Sequence, residues 1–140
     1  IQDNSLEDST QTALKKYARA DLLEFQDKNQ ESIAVLDDIL TNNKGEKIED
    51  EALLKQAKIQ VEQKNYESAE FNYQKIVEFY ADGILADDAH FALGELYENI
   101  LNEPEKAKNH YEKIIYNYQD SYYFPQARKS FRRLRGDAIN

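Results

Sequence analysis

Residues 64–82 read KNYESAEFNYQKIVEFYAD and residues 102–120 read NEPEKAKNHYEKIIYNYQD, and the two stretches fall into register. Ala69 meets Ala107, Tyr73 meets Tyr111, Ile76 meets Ile114, Tyr80 meets Tyr118 and Asp82 meets Asp120. A fainter copy lies upstream, where Ser32, Leu36 and Ile39 take the places of Ala69, Tyr73 and Ile76. Ahead of each copy runs a second helical pattern with one small residue at a fixed point. These residues are Ala20, Ala57 and Gly94, each 37 after the last. A period of this length marks stacked supersecondary units, none of which can bury its apolar face alone.

Each unit holds two helical stripes. Leu14, Tyr17, Ala18, Leu22 and Phe25 recur at helical spacing and predict a helix from about Gln11 to Asp27, with Ser9 or Thr10 as N-cap. Ile33, Leu36, Ile39 and Leu40 predict a second from about Gln30 to Thr41, and Gly45 marks the turn after it. The next pair is expected at about Glu49–Gln63 and Tyr66–Tyr80, closed by Gly83 in the left-handed conformation. Asp87 or Asp88 should cap a helix running to Ile100, and Pro104 should open its partner, where a missing N–H costs nothing. A last helix begins near Pro125 and stops by Gly136. A coiled coil would need a sustained heptad and would not tolerate turn signals this regular.

The small residues set how closely the helices of a hairpin approach. Ala20, Ala57 and Gly94, with Ala69 and Ala107 opposite, belong at the crossing points, while Tyr73, Tyr111, Ile76 and Ile114 fill the space between successive hairpins. Residues 1–10 form a polar segment, units follow at about 11–47, 48–85 and 86–124, a capping helix covers 125–136 and a tail covers 137–140.

Composition narrows the function. A formal charge of −9 speaks against a general nucleic-acid binder, which needs a basic footprint. No stretch approaches the roughly 20 apolar residues of a membrane-spanning helix. The absence of cysteine removes thiol catalysis, disulfides and thiolate metal sites. Methionine is absent too, and we expect a fragment of a longer product, because residues 1–11 lack the marks of a targeting segment.

Aligned in this way, the chain resembles a tetratricopeptide-repeat protein from about Leu14 to Leu134. The family's series of a small residue, an aromatic, an alanine and an aromatic reads Gly94, Tyr97, Ala107 and Tyr111 in the third unit. The second unit reads Ala57, Gln60, Ala69 and Tyr73, and the first reads Ala20, Leu23, Ser32 and Leu36. The units are longer than the usual ~34 residues, and Ala81 and Gln119 stand where a closing proline is common. Long units whose joint reads Tyr-x-Asp-Ser followed by Ala-x-x-Ala are similar to those of bacterial cell-envelope proteins, an analogy of family only.

The resemblance implies an all-α fold, an α-α superhelix of three tetratricopeptide-like hairpins plus a terminal capping helix. It implies a non-enzymatic scaffold for a protein or peptide partner, in the C-terminal part of a larger envelope protein. A self-association module working through the terminal helix is the alternative. An accessory domain to an upstream enzyme is another.

In such superhelices the first helix of each hairpin lines the concave face. That puts Tyr17, Leu54 and Phe91 in one row of a groove, Asp21, Lys58 and Glu95 in the next, and Glu24, Val61 and Glu98 beside it. An apolar floor with acidic sides suits a peptide carrying basic and apolar residues. The same three apolar residues also suit packing against a neighbouring hairpin. The basic clamp that some members use for acidic tails needs Lys and Asn here, where Tyr17 and Asp21 stand.

His90 and His110 lie on different helices without a HxxxH or HxxE arrangement, so neither metal nor cofactor is expected. No carboxylate pair, glycine-rich loop or Ser–His–Asp series selects a catalytic site. The terminal helix is the odd region. Arg128, Lys129, Arg132, Arg133 and Arg135 crowd residues 126–135 with no acid, while the residues before them hold 13 basic and 26 acidic side chains. A solvated cap explains this, and so does a basic docking strip for an acidic partner, an anionic surface or a second copy. Tyr116, Tyr118, Tyr122, Tyr123 and Phe124 precede it, and most should tuck beneath the terminal helix.

Overall fold

The computed structural model describes residues 5–45 and 47–136. Among these it forms seven helices and no strand: α1 (Ser5–Phe25), α2 (Asn29–Asn42), α3 (Glu49–Glu62), α4 (Tyr66–Phe79), α5 (Ala86–Asn99), α6 (Pro104–Asn117) and α7 (Phe124–Arg135). The all-α hairpin architecture expected from the repeat is the observed one. Residues 1–4 and the tail 137–140 lie outside the described residues. The chain divides into two compact units, Ile1–Asn72 and Tyr73–Asn140, with the boundary inside α4.

Inside each hairpin the turn is built the same way. Asp27, Lys64 and Asn102 have positive φ of 60°, 63° and 55° and stand one repeat apart. In the first two turns the next N–H reaches back five residues, Lys28 to the Leu23 carbonyl and Asn65 to the Gln60 carbonyl, both at 2.8 Å. That is the Schellman closure of a helix C-terminus. The third turn contains one more residue, and Glu103 N–H reaches the Tyr97 carbonyl instead. The longer third unit has its cause there.

In the first unit, α2 packs against both α1 and α3. The core joins Ala13 and Ala20 of α1, Leu36 and Ile39 of α2, and Ala52 and Ile59 of α3. Ala20 is fully buried, and the Ser32 hydroxyl donates to its carbonyl at 2.7 Å. A buried polar chain completes this unit. The Asn72 amide donates to Gln56 Oε1 and Gln60 Oε1, both at 2.9 Å, and Gln56 in turn donates to Asp37 Oδ1 at 2.7 Å. Buried amides persist only when satisfied, as these are.

In the second unit, α6 packs between α5 and α7. Gly94 meets the Tyr111 ring so closely that a Cβ there would lie 2.5 Å from the nearest ring carbon. Tyr111 therefore fills space inside its own hairpin, not between hairpins as expected. Ala127 and Phe131 of α7 are buried and Leu134 half-buried, the stripe anticipated for a sealing helix, with Ser130 buried beside them. Gly136 ends α7 with φ 94°.

Three local expectations fail. Helix α1 starts at Ser5, because residues 5–25 contain neither Gly nor Pro and nothing stops the helix at Thr10. Gly83 is not among the residues with positive φ; its N–H closes a turn onto the Tyr80 carbonyl at 2.9 Å. Leu85 precedes α5, so Asp87 and Asp88 are first-turn acids and not N-caps. They favour the helix dipole from there and anchor the next joint: Asp87 accepts from the Ser121 hydroxyl and Asp88 from the Tyr123 hydroxyl. Tyr118 likewise ties its hydroxyl to the Ala81 carbonyl at 2.7 Å.

Candidate functional site

The groove residues of the first unit gather around a side chain that the sequence reading passed over. Lys55 of α3 reaches α1 and lies 2.7 Å from Asp21 and 2.8 Å from Glu24, with its ammonium 5.5 Å above the centre of the Tyr17 ring. Burial opposes the Lys55 charge, but the hydrogen bonds to Asp21 and Glu24 outweigh it and hold the pKa well above the ordinary value. Burial raises the Tyr17 pKa, Lys55 lowers it, and Glu51, Asp21 and Glu24 raise it further. Lys58, the residue expected in this row, is exposed, Leu54 is buried and Val61 is half-buried. One signal pointed to Lys55: its repeat equivalents are Ala18 and Ala92, so a long cation replaces a small residue at a position that faces a neighbouring helix.

In the second unit Phe91 stacks on Tyr123 with centroids 4.6 Å apart and tilts against Tyr111 at 5.9 Å. Glu98 accepts from the Tyr111 hydroxyl at 3.0 Å and pairs with Arg133 of α7. Glu95 stays exposed, and its pKa is raised, first by partial burial and then by Glu98. The groove acid Glu98 and the strip arginine Arg133 are thus brought together as one ion pair. Burial, the Glu98 bond and the charges of Glu98 and Glu95 hold the Tyr111 hydroxyl protonated well past its ordinary range.

The rest of the basic strip divides by role. Arg135 lies 5.1 Å from the centre of the Phe131 ring. Arg128, Lys129 and Arg132 are exposed, and no ion pair joins them to another described residue. Tyr122 is 89% exposed, whereas its neighbour Tyr123 is tied down by Phe91 and Asp88.

The two histidines do meet. His90 Nδ1 and His110 Nδ1 are 3.0 Å apart, Tyr97 stacks on His110, and Tyr118 leans on His90. Burial, then each other's charge and Lys113, push the His90 pKa down to about 4; burial and Lys113 do the same to His110. Among the described residues no third His, Asp or Glu joins them in a metal-binding group. The Tyr97–His110 stack sits where the second sequence repeat (48–85) has the Gln60–Asn72 hydrogen bond, which explains how that repeat dispenses with the first aromatic.

Residues 51–83 and 88–121 match the family model for the tetratricopeptide repeat. The chain belongs to the tetratricopeptide-repeat family, with its second and third units as the matched repeats. No curated protein and no solved structure matches it significantly. Repeats of this family are in general protein–protein interaction modules and typically non-enzymatic. Among the described residues no helix is long and apolar enough to cross a membrane.

Proposed function

We propose that the chain is a protein-binding scaffold without catalytic chemistry, and that the outer face of α7 docks an acidic segment of its partner. The observation that carries this reading is the trio Arg128, Lys129 and Arg132, exposed on a helix without acids in a chain of net charge −9. Arg133 and Arg135 serve the fold through Glu98 and Phe131, which leaves the trio without such work. The residues expected in a groove rank second as docking candidates, because Asp21 and Glu24 in the first compact unit are already engaged by Lys55, and Glu98 in the second by Tyr111 and Arg133. A bacterial-envelope setting belongs to the same proposal and is supported only by the resemblance of the joints.

A labelled peptide rich in Asp and Glu tests the docking face by fluorescence anisotropy. Binding should weaken with salt, since exposed charges are screened within about 10 Å at 0.1 M. The variant carrying Arg128→Glu, Lys129→Glu and Arg132→Glu should lose about tenfold or more in affinity. Equal affinity for parent and variant at every salt concentration would reduce the basic face to a solvated cap. Self-association that vanished in the variant would instead favour a second copy as the acidic partner.

A further inference from the structure

Helix α7 repeats the first helix of a hairpin, residue for residue. The joints before α5 and α7 close with the same backbone hydrogen bonds, 38 residues apart. Gly83 and Ser121 N–H reach the Tyr80 and Tyr118 carbonyls, and Ala89 and Ala127 N–H reach those of Leu85 and Tyr123. In that register Ala127 and Phe131 stand for Ala89 and Leu93, and all four are buried. Arg128, Arg132 and Arg135 stand for His90, Gly94 and Tyr97.

Those three positions seat the second helix of a hairpin. On α5, His90 meets His110, Gly94 meets Tyr111 and Tyr97 stacks on His110, all through α6. On α1 the same places hold Lys16, which pairs with Asp38 of α2, and Ala20, whose carbonyl accepts from Ser32. Gln60 of α3 accepts from the Asn72 amide of α4. A helix-receiving face thus recurs in every unit. On α7 it is cationic, with Arg128 and Arg132 exposed one turn apart.

Two features define the helix that fits there. Arg132 replaces the Ala20, Ala57 or Gly94 of the other crossings, so the occupant stands off at the length of an arginine and is held by charge. Gly136 ends α7 at φ 94°, in the place of Glu98, where α5 runs on to Asn99. In the three hairpins the turn into the second helix closes on Asp27, Lys64 and Asn102, about one turn further along. The chain leaves α7 too early to build that turn in register, so the occupant comes from another protein.

Resting on the α7 docking reading above, we propose that the acidic segment binds as a helix, laid where a hairpin's second helix lies. Its carboxylates recur at i and i+4 and face Arg128 and Arg132. Helical residues four apart stand about 5–6 Å from each other, so the two spacings match, and each guanidinium can take a carboxylate with two hydrogen bonds. Lys129 takes the place of Phe91, which stacks on the following joint through Tyr123, and so lies at the edge of the face.

The experiment uses the full chain and two labelled alanine-based peptides of one composition. One carries its glutamates at i, i+4 and i+7; the other spreads them round the helix. The first should bind about tenfold more tightly at low salt and gain helical circular dichroism on binding. Arg128→Glu and Arg132→Glu should each weaken it about fivefold or more, and Lys129→Glu, an equal change in net charge, by less than about twofold. The melting temperature should hold in all three variants, because these side chains are exposed. If neither peptide binds, acidic docking on α7 fails and this proposal with it. If both bind equally, or the three reversals cost the same, α7 reads net charge alone: acidic docking stands and the helical register is overturned. Self-association of the parent that Arg132→Glu abolishes also overturns it, by making a second copy the occupant.

Discussion

Gly94 and Tyr111 share a space that has room for only one side chain. The ring is held by burial and by its bond to Glu98, so it cannot swing away from an added methyl group. Gly94→Ala gains about 1 kcal/mol of helix propensity and meets an overpacking cost of about 1–3 kcal/mol. The variant should therefore unfold at lower urea concentration than the parent; an increase would mean the ring yields more easily than its contacts indicate. Lys64 presents the reverse case. Its φ of 63° is a conformation that costs a side chain such as Lys about 1–2 kcal/mol, whereas Asp27 and Asn102 are residue types that tolerate it. Lys64 is exposed, so Lys64→Gly loses no packing. It should raise stability by about 0.5–1 kcal/mol after the added freedom of the unfolded chain is counted, and a calorimetric melting temperature equal to or below the parent's would contradict this.

At the scale of elements, α7 shows how one helix divides its charges. Arg132 and Arg133 are adjacent in sequence, yet only Arg133 pairs with the largely buried carboxylate of Glu98. Arg133→Ala should cost about 1 kcal/mol in a urea titration, whereas Arg132→Ala should fall within about 0.5 kcal/mol of the parent. Equal losses would show that the pair contributes nothing. The hairpins themselves were legible from the sequence, because apolar spacing and the Ala20, Ala57 and Gly94 positions depend only on the backbone period. The Lys55 cluster was not, since which long side chain crosses to α1 depends on its rotamer and on two acids from another helix. Asp87 and Asp88 misled for a related reason. Local pattern makes such acids caps, while their partners Ser121 and Tyr123 lie 34 and 35 residues away. The meeting of His90 and His110 was hidden in the same way: 20 residues and a turn separate them.

For the molecule as a whole, that histidine pair predicts how stability depends on pH. At 3.0 Å one Nδ1 must donate and the other accept, so the two rings cannot both carry a proton on Nδ1, and burial keeps both neutral at pH 7, with Asp87 and Lys113 the nearby charges. Their folded pKa values near 4 lie below the ordinary 6.5. The unfolded chain therefore takes up protons first as pH falls. Stability from this source is complete above about pH 6.5 and is lost progressively down to about pH 4, below which the pair contributes no further change. The loss should be on the order of 2–4 kcal/mol for the pair, discounted for the solvent that reaches both rings. His90→Leu with His110→Asn, the residues found one unit earlier, should flatten the melting-temperature curve between pH 7 and pH 4. A curve of unchanged slope would assign acid sensitivity to other groups.

The carboxylate-bound tyrosines have an optical consequence. With ten tyrosines and no tryptophan, the chain's near-ultraviolet emission is tyrosine emission alone. A phenol that hydrogen-bonds a carboxylate loses its excited-state energy without emitting, and Tyr111 on Glu98 and Tyr123 on Asp88 are both in that position. Both lie in the second unit, one in its hairpin and one at the joint before α7. Unfolding should therefore brighten the protein, and the native chain carries a built-in fluorescent gauge of that unit's integrity, readable without a label.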